Sequence, residues 1–199
     1  MFNIYFMKRI ILLCIAYIGF ALGGADKYWI DSTSTFWYSN DKTTFSITTA
    51  TQLAGLAKLV DNGNTFQGKT ITLDADIFMG TGDRLWNVPI GSENHPFKGV
   101  FDGKNHKISG LRVAAWVTNS SGVMNYEGKD YMGLFGYTVD AKICNLVLSR
   151  ERSYFSAKNY AGSLVGYAKG GIITNIHSEI DVKGEGTVGG IAGYADNIS

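Results

Sequence analysis

Proline, cysteine and charge of one sign are all scarce in this chain. It has 2 Pro and 2 Cys in 199 residues, and 18 basic against 17 acidic side chains leave a net charge of +1. Two cysteines cannot build a disulfide framework. A balance this close to neutral excludes the basic footprint of a nucleic-acid binder. Few prolines and no Gly-X-Y period exclude collagen, yet 25 glycines run well above the usual ~7% and call for tight turns or close backbone approaches. No apolar run reaches the ~20 residues that span a bilayer. With 45% apolar residues, a chain of this length can hide roughly 70% of its unfolded surface. Its stability therefore requires neither a disulfide nor a metal, and no cofactor is expected.

One apolar run has a different reading. Lys8 and Arg9 precede residues 10–22, and Gly23, Gly24 and Ala25 follow, the charged start, apolar stretch and small-residue exit of a secretory signal peptide. Cleavage after Ala25 removes both charges, leaving 16 basic against 17 acidic residues. The mature chain is then expected to be exported, extracellular or at the cell surface, with no stable membrane span. Cys144 becomes its only cysteine. Set between Ile143 and Asn145 in a strand-like stretch, it reads as a buried thiol and not as a nucleophile.

Internal repetition is the strongest remaining signal. YMGLFGYTVDAKICNLVL (131–148) and YAGSLVGYAKGGIITNIHS (160–178) share a pattern, and VGGIAGYADN (188–197) opens a third copy. Gly133, Leu134, Phe135 and Gly136 correspond to Gly162, Leu164, Val165 and Gly166, with Ser163 as an extra residue, and to Gly190, Ile191 and Gly193. Asn145 and Asn175 each follow the last Gly of their core by nine positions. A more divergent copy is expected at 97–113, where Ile108, Gly110, Leu111 and Val113 lie over Ile143, Asn145, Leu146 and Leu148. The sequence stops inside the third copy, which predicts further sequence downstream or self-association through an uncapped coil.

Each copy contains short period-2 pieces separated by Gly, Asn and Asp, which read as strands. A unit of about 30 residues built this way cannot close its own core, so copies must stack. The expected fold is all-β, a right-handed parallel β-helix, with one α-helix near 50–62 as its N-terminal cap. Thr49 and Gln52 have capping-box spacing, and Gly63 supplies a left-handed C-terminal cap. The expected organisation is signal peptide 1–25, lead-in 26–48, helix 49–63 and β-helix 64–199. In the repeats, the glycines supply turn dihedrals or close approach of coils. The asparagines supply either a bend with positive φ or an amide ladder.

Chemistry is sparse. Asp74 with Asp76 and Glu179 with Asp181 are candidate carboxylate pairs, with a solvated outer face as the simpler reading. Asp102-Gly103 is a turn signal. His95, His106 and His177 lack metal-ligand spacing, so no metal site and no catalytic residue is assigned. The insertion at 114–130, read as a polar loop on a rigid scaffold, makes Trp116 and Tyr126 the candidate ligand-binding residues.

GLFG, SLVGYAKGGIITN and GGIAG, together with WNVPIGSENHPFKGVFDGKNHKISGL upstream, resemble the GLUG-motif repeats of secreted bacterial surface proteins over about residues 44–199. That resemblance implies a right-handed β-helix of pectin-lyase-like shape and an adhesin or surface-scaffold setting. The expected function is a non-catalytic exported module that meets a polysaccharide or a host or cell-surface ligand. Tyr131, Tyr137, Tyr160, Tyr167 and Tyr194 either offer repeated contacts to a polymer or pack against neighbouring coils. The alternatives are a carbohydrate-active enzyme, a polysaccharide lyase or glycosidase, and a carbohydrate-binding module on the same fold.

Overall fold

The computed structural model describes residues 27–80, 84–114, 116–118, 124–126 and 128–199, without side-chain detail for 116–118 and 124–126. Residues 1–25, read above as a signal peptide, lie outside them. The chain is a parallel β-helix with one α-helix. A short 3-10 turn, Trp29–Asp31, opens the lead-in, and strand β1 (Thr44–Ile47) precedes helix α1 (Ala50–Asp61). Then come β2 (Thr70–Leu73), β3 (Ile77–Phe78), β4 (Val100–Asp102), β5 (Lys107–Ser109), β6 (Arg112–Val113), β7 (Trp116–Thr118) and β8 (Met124–Tyr126). The chain continues with β9 (Phe135–Leu148), β10 (Tyr154–Ala157), β11 (Val165–Ser178), β12 (Val182–Gly184) and β13 (Ala192–Asp196).

The main sheet runs β1-β2-β4-β9-β11-β13, and β12-β10-β6 forms a second sheet. Both are parallel throughout. Parallel strands need crossovers, and here each crossover is the rest of one coil. The two 14-residue strands are not straight. Asp140 and Asn145 bend β9 with φ of 51° and 55°; Gly170 and Asn175 bend β11 at the matching positions, and Gly171 adds a further positive φ. These corners divide each long strand into the short period-2 pieces visible in the sequence.

Register builds the core. Phe45, Ile71, Phe101, Ile143 and Ile173 align across five coils, and Ile90, Phe135, Val165 and Ala192 form a second ladder. Residues of these ladders are buried until the last coils, where Ile173 and Ala192 are half-buried. An aromatic series, Trp37, Tyr38, Phe45, Phe66, Phe97 and Phe135, links the lead-in to the interior through centroid distances of 5.2–6.2 Å. The lead-in aromatics thus pack the N-terminal end.

Helix α1 forms where its caps place it. Thr49 Oγ1 accepts from Gln52 N, and Gln52 Oε1 accepts from Thr49 N at 3.2 Å, a closed capping box. At the other end Gly63 N donates to Val60 O and Asn64 N donates to Leu59 O, with Gly63 at φ 97°, a Schellman motif. Leu53, Leu56, Ala57 and Val60 are buried on the first coil.

Two details depart from the sequence reading, and a third refines it. The divergent copy is displaced, because Ile108 pairs with Leu148 and Phe101 pairs with Ile143. Its corner takes two more residues than the later ones, turning through Lys104 and Asn105 at φ 48° and 63° where Asn145 alone suffices. The residue opposite Asn145 is therefore Asn105, not Gly110. The insertion at 114–130 is not simply a loop, since β7 and β8 pair as an antiparallel hairpin. Its arms, WVT and MNY, carry the aromatic and β-branched residues that favour strands. Finally, a turn does open at Asp102-Gly103, with His106 N donating to Gly103 O at 2.8 Å, but the left-handed residues are Lys104 and Asn105 and not Gly103. A Cβ there would lie 2.3 Å from Asn145 O, so glycine allows the coils to meet.

Candidate functional site: a tyrosine face and the groove beside it

Five tyrosines gather on one outer face because the repeat places them at equivalent positions. Tyr137, Tyr167 and Tyr194 are in register on β9, β11 and β13, and their rings stack with centroids 4.7 and 4.8 Å apart. Tyr131 and Tyr160 stack beside them at 5.0 Å, 10° from parallel. Between the two stacks the contacts are edge-to-face, with Tyr131–Tyr137 at 5.5 Å and Tyr160–Tyr167 at 5.8 Å. Offset stacking and edge-to-face contacts both suit the ring quadrupole, each worth about 0.5–1.5 kcal/mol beyond burial. Tyr131 and Tyr160 also hold φ of 57° and 53°, a costly backbone state for a bulky residue. The stacking thus accompanies local strain. The rings turn their faces on one another, so this array is a stacked spine and not a flat platform. Burial, aided by Glu93 at Tyr131 and by Tyr167 at Tyr137, pushes the phenols of Tyr131 and Tyr137 above their ordinary value.

Beside Tyr131 lies a groove of about 240 Å³, lined by Asp61, Asn87, Pro89, Ser92, Lys129 and Asp130 among others. The end of α1 and the 87–92 segment form one wall, and the start of the next coil forms the other. His95 fixes the helix end by its Nδ1 contact with Asp61 O at 2.7 Å. Lys129 Nζ donates to Asn87 O at 3.1 Å, and Asn159 Nδ2 donates to Asp130 Oδ1 at 3.0 Å. Sequence reasoning missed this groove. Its lining comes from three separated segments that only stacking brings together.

The candidate carboxylates are engaged elsewhere, as clamps between coils. Asp74 accepts from Lys104 Nζ at 2.6 Å and from the hydroxyls of Ser46 and Thr72. Lys104 and then Ser46 hold its carboxyl down to about 2, from 3.8. Asp76 accepts from Lys107 N and lies 3.2 Å from His106 Nδ1. Arg150 reaches Glu179 O at 3.2 Å and Asp181 Oδ1 at 3.0 Å. A folded-state value below the unfolded one means that Asp74 stabilises the fold above about pH 4, and that this is lost as pH falls through about 2. Lys104→Met is expected to move Asp74 back toward 3.8 in an NMR titration, and an unchanged midpoint would refute the clamp. Among the described residues no group of His, Cys, Asp and Glu could hold a metal ion.

The repeat residues are spread through the coils. Gly133, Gly162, Gly136, Gly166 and Gly193 sit where an added Cβ would come within 2.3–2.7 Å of backbone, while Gly190 has nothing within 4 Å. Leu134, Phe135, Leu164 and Val165 are core, whereas Ile191 is 37% exposed. Ser163 is buried, with its hydroxyl donating to Gly190 O and accepting from Ser178 Oγ at 2.7 Å. The additional serine is thus a satisfied bridge to the following coil. Asn145 and Asn175 combine positive φ with an amide ladder: Asn175 Nδ2 donates to Asn145 Oδ1 at 2.8 Å, and Asn145 Nδ2 to Asp102 Oδ1 at 3.0 Å. Trp116 and Tyr126 occupy opposite positions in the β7–β8 hairpin, but their side chains lie outside the described residues.

Cys144 is buried and free. Burial, then the neighbouring Asp102, pushes its thiol up, the opposite of nucleophile activation. It is expected to resist a thiol reagent in the native protein and to react stoichiometrically once unfolded, read by peptide mass. Rapid native labelling at Cys144 would contradict this. No helix among the described residues is long and apolar enough to cross a membrane. No family model, no curated protein and no solved structure matches this chain.

Proposed function

We propose that this chain is a non-catalytic module of an exported surface protein, a stiff β-helix that holds a polysaccharide or another surface ligand along one face. The observation that carries this reading is the tyrosine face, which repeats the same aromatic and hydroxyl group from coil to coil. Repetition at fixed spacing lets individually weak contacts add through high effective concentration. The carboxylates support a binding role over turnover. Those of the candidate pairs are tied to Lys104, His106 and Arg150 on neighbouring coils, whereas glycoside hydrolysis needs two that flank one bond. The charged start and small-residue exit around residues 8–25 support export. The GLFG-like recurrence supports a place among GLUG-type surface proteins.

The test is retention of the full chain, as secreted, on a panel of immobilised cell-wall and plant polysaccharides, with the supernatant assayed for reducing ends and unsaturated products. Retention without release is expected. Release of either product would make the chain an enzyme, and failure to bind any member would refute the polymer reading. The secreted product should begin at Asp26. A product still carrying residues 1–25 would refute the export signal.

A further inference from the structure

We propose that the groove beside Tyr131 is a binding subsite for one neutral sugar ring of a polysaccharide, an inference that rests on the polymer-binding reading above and gives it a specific site. Tyr131 is the first ring of its stack. Tyr160 covers one face at 5.0 Å, and the described rings that otherwise touch Tyr131, Tyr137 and Tyr167, meet it edge-to-face. No described aromatic ring stacks on its other side, where the preceding coil contributes the 87–92 segment to the groove. That coil is fixed directly below, because Ile90 bridges to Phe135. The tyrosine spine thus ends against a concave space, and Tyr131 alone among the five tyrosines lines it.

Size and chemistry select the ligand. A volume of about 240 Å³ falls below the ~300–1,000 Å³ of pockets that enclose drug-sized molecules, and suits one ring of a chain that continues outside. An aromatic ring attracts the C–H face of a pyranose, whose hydroxyls point outward in its plane. Around Tyr131 stand the acceptors that hydroxyls require. Asp130 is oriented by Asn159 through one oxygen, which leaves its second as an acceptor, and Asp61 and Ser92 line the same space. Hydrogen bonds to ionised acceptors are the strong ones. Asn87 also lines the groove, and its buried Oδ1 accepts no hydrogen bond from the described residues.

The charge of the lining fixes the class. Asp61 and Asp130 outnumber Lys129, whose ammonium is directed to Asn87 O. Glu93 is near enough to disfavour ionisation of Tyr131. An anionic uronate would meet like charge here, whereas an uncharged hexose or pentose ring would not.

The experiment titrates the secreted chain with cellohexaose, xylohexaose, mannohexaose and hexagalacturonate by calorimetry, with backbone amide shifts followed in parallel. At least one neutral hexasaccharide should bind, shifting the amides of Ser92, Lys129 and Asp130. Tyr131→Ala should weaken that binding about tenfold or more, the loss of a dominant aromatic contact. Tyr131→Phe, which keeps the ring, should lose less than Tyr131→Ala, and Phe36→Ala, a fully exposed aromatic outside both the groove and the tyrosine face, should stay within about threefold. The shift map reports on the wild-type protein even if Tyr131→Ala fails to fold. Binding that survives Tyr131→Ala without shifts at the groove would overturn this site and leave the polymer reading standing. Preference for hexagalacturonate would overturn the neutral class. Absence of binding to all four, together with retention on a polysaccharide column, would overturn the subsite alone; absence of both would overturn the two proposals together.

Discussion

Gly166→Ala is expected to lower the free energy of unfolding by about 3 kcal/mol, the upper end for forcing a methyl group into packed structure. The added carbon would lie 2.4 Å from the carbonyl carbon of Tyr131 and 2.6 Å from its Cα. That backbone cannot easily yield. Tyr131 N donates to Asn159 O and Met132 N to Tyr160 O, so moving it away disturbs bonds to the next coil. Gly190→Ala is the matched control from the same repeated core. Nothing lies within 4 Å of its added carbon, and its effect should stay within about 0.5 kcal/mol. Urea unfolding of both variants, with slopes compared to the parent, separates the cases. Equal losses at the two positions would refute close coil approach as the reason for glycine at 166.

Asn145→Ala is expected to cost about 2.5–4 kcal/mol, from two sources. Alanine at φ 55° loses the tolerance of asparagine for the left-handed region, about 1 kcal/mol. The lost amide leaves Asp102 without its 3.0 Å donor and Asn175 without its 2.8 Å acceptor, and a bond to a charged acceptor is worth about 1.5–3 kcal/mol. Asn145→Gly should recover the first part only. Burial pushes the Asp102 carboxyl up, but the amide of Asn145 and the N–H of Lys104 together outweigh it and hold the carboxyl below its ordinary value. Removing Asn145 should therefore raise the Asp102 titration midpoint. Stability that is present above the unfolded value would then be lost at a higher pH as acid is added. If Asn145→Gly is as stable as the parent, the ladder contributes nothing and only the bend matters.

Much of the scaffold was legible because its determinants are local or periodic. Thr49, Gln52 and Gly63 marked the ends of α1 through capping chemistry confined to a few residues. The spacing of Gly136 and Gly166 matches the register that pairs Tyr137 with Tyr167, since coils of equal length must stack in phase. Where coil length changes, periodicity misleads. Two additional residues in the corner through Lys104 and Asn105 displaced Ile108 from Ile143 to Leu148. Asn105 consequently went unnoticed as the first member of the ladder, although its side chain accepts from Asn175 at 3.1 Å. For the insertion, turn-rich composition hid a pairing that places Trp116 opposite Tyr126.

The amino-acid sequence by itself determined the fold class, the helix and its caps, the repeat and the burial of Cys144. Each follows from capping, alternation or recurrence along the chain. Only the tertiary structure decided what the polar groups do. It turned Asp74, Asp76 and Asp181 toward Lys104, His106 and Arg150, about 30 residues away, stacked the tyrosines face to face, and closed a groove from residues 61, 87–92 and 129–132. The physical reason is that a solenoid brings together residues one coil apart, and their distance is set by the length of every intervening corner, a quantity that no local pattern encodes.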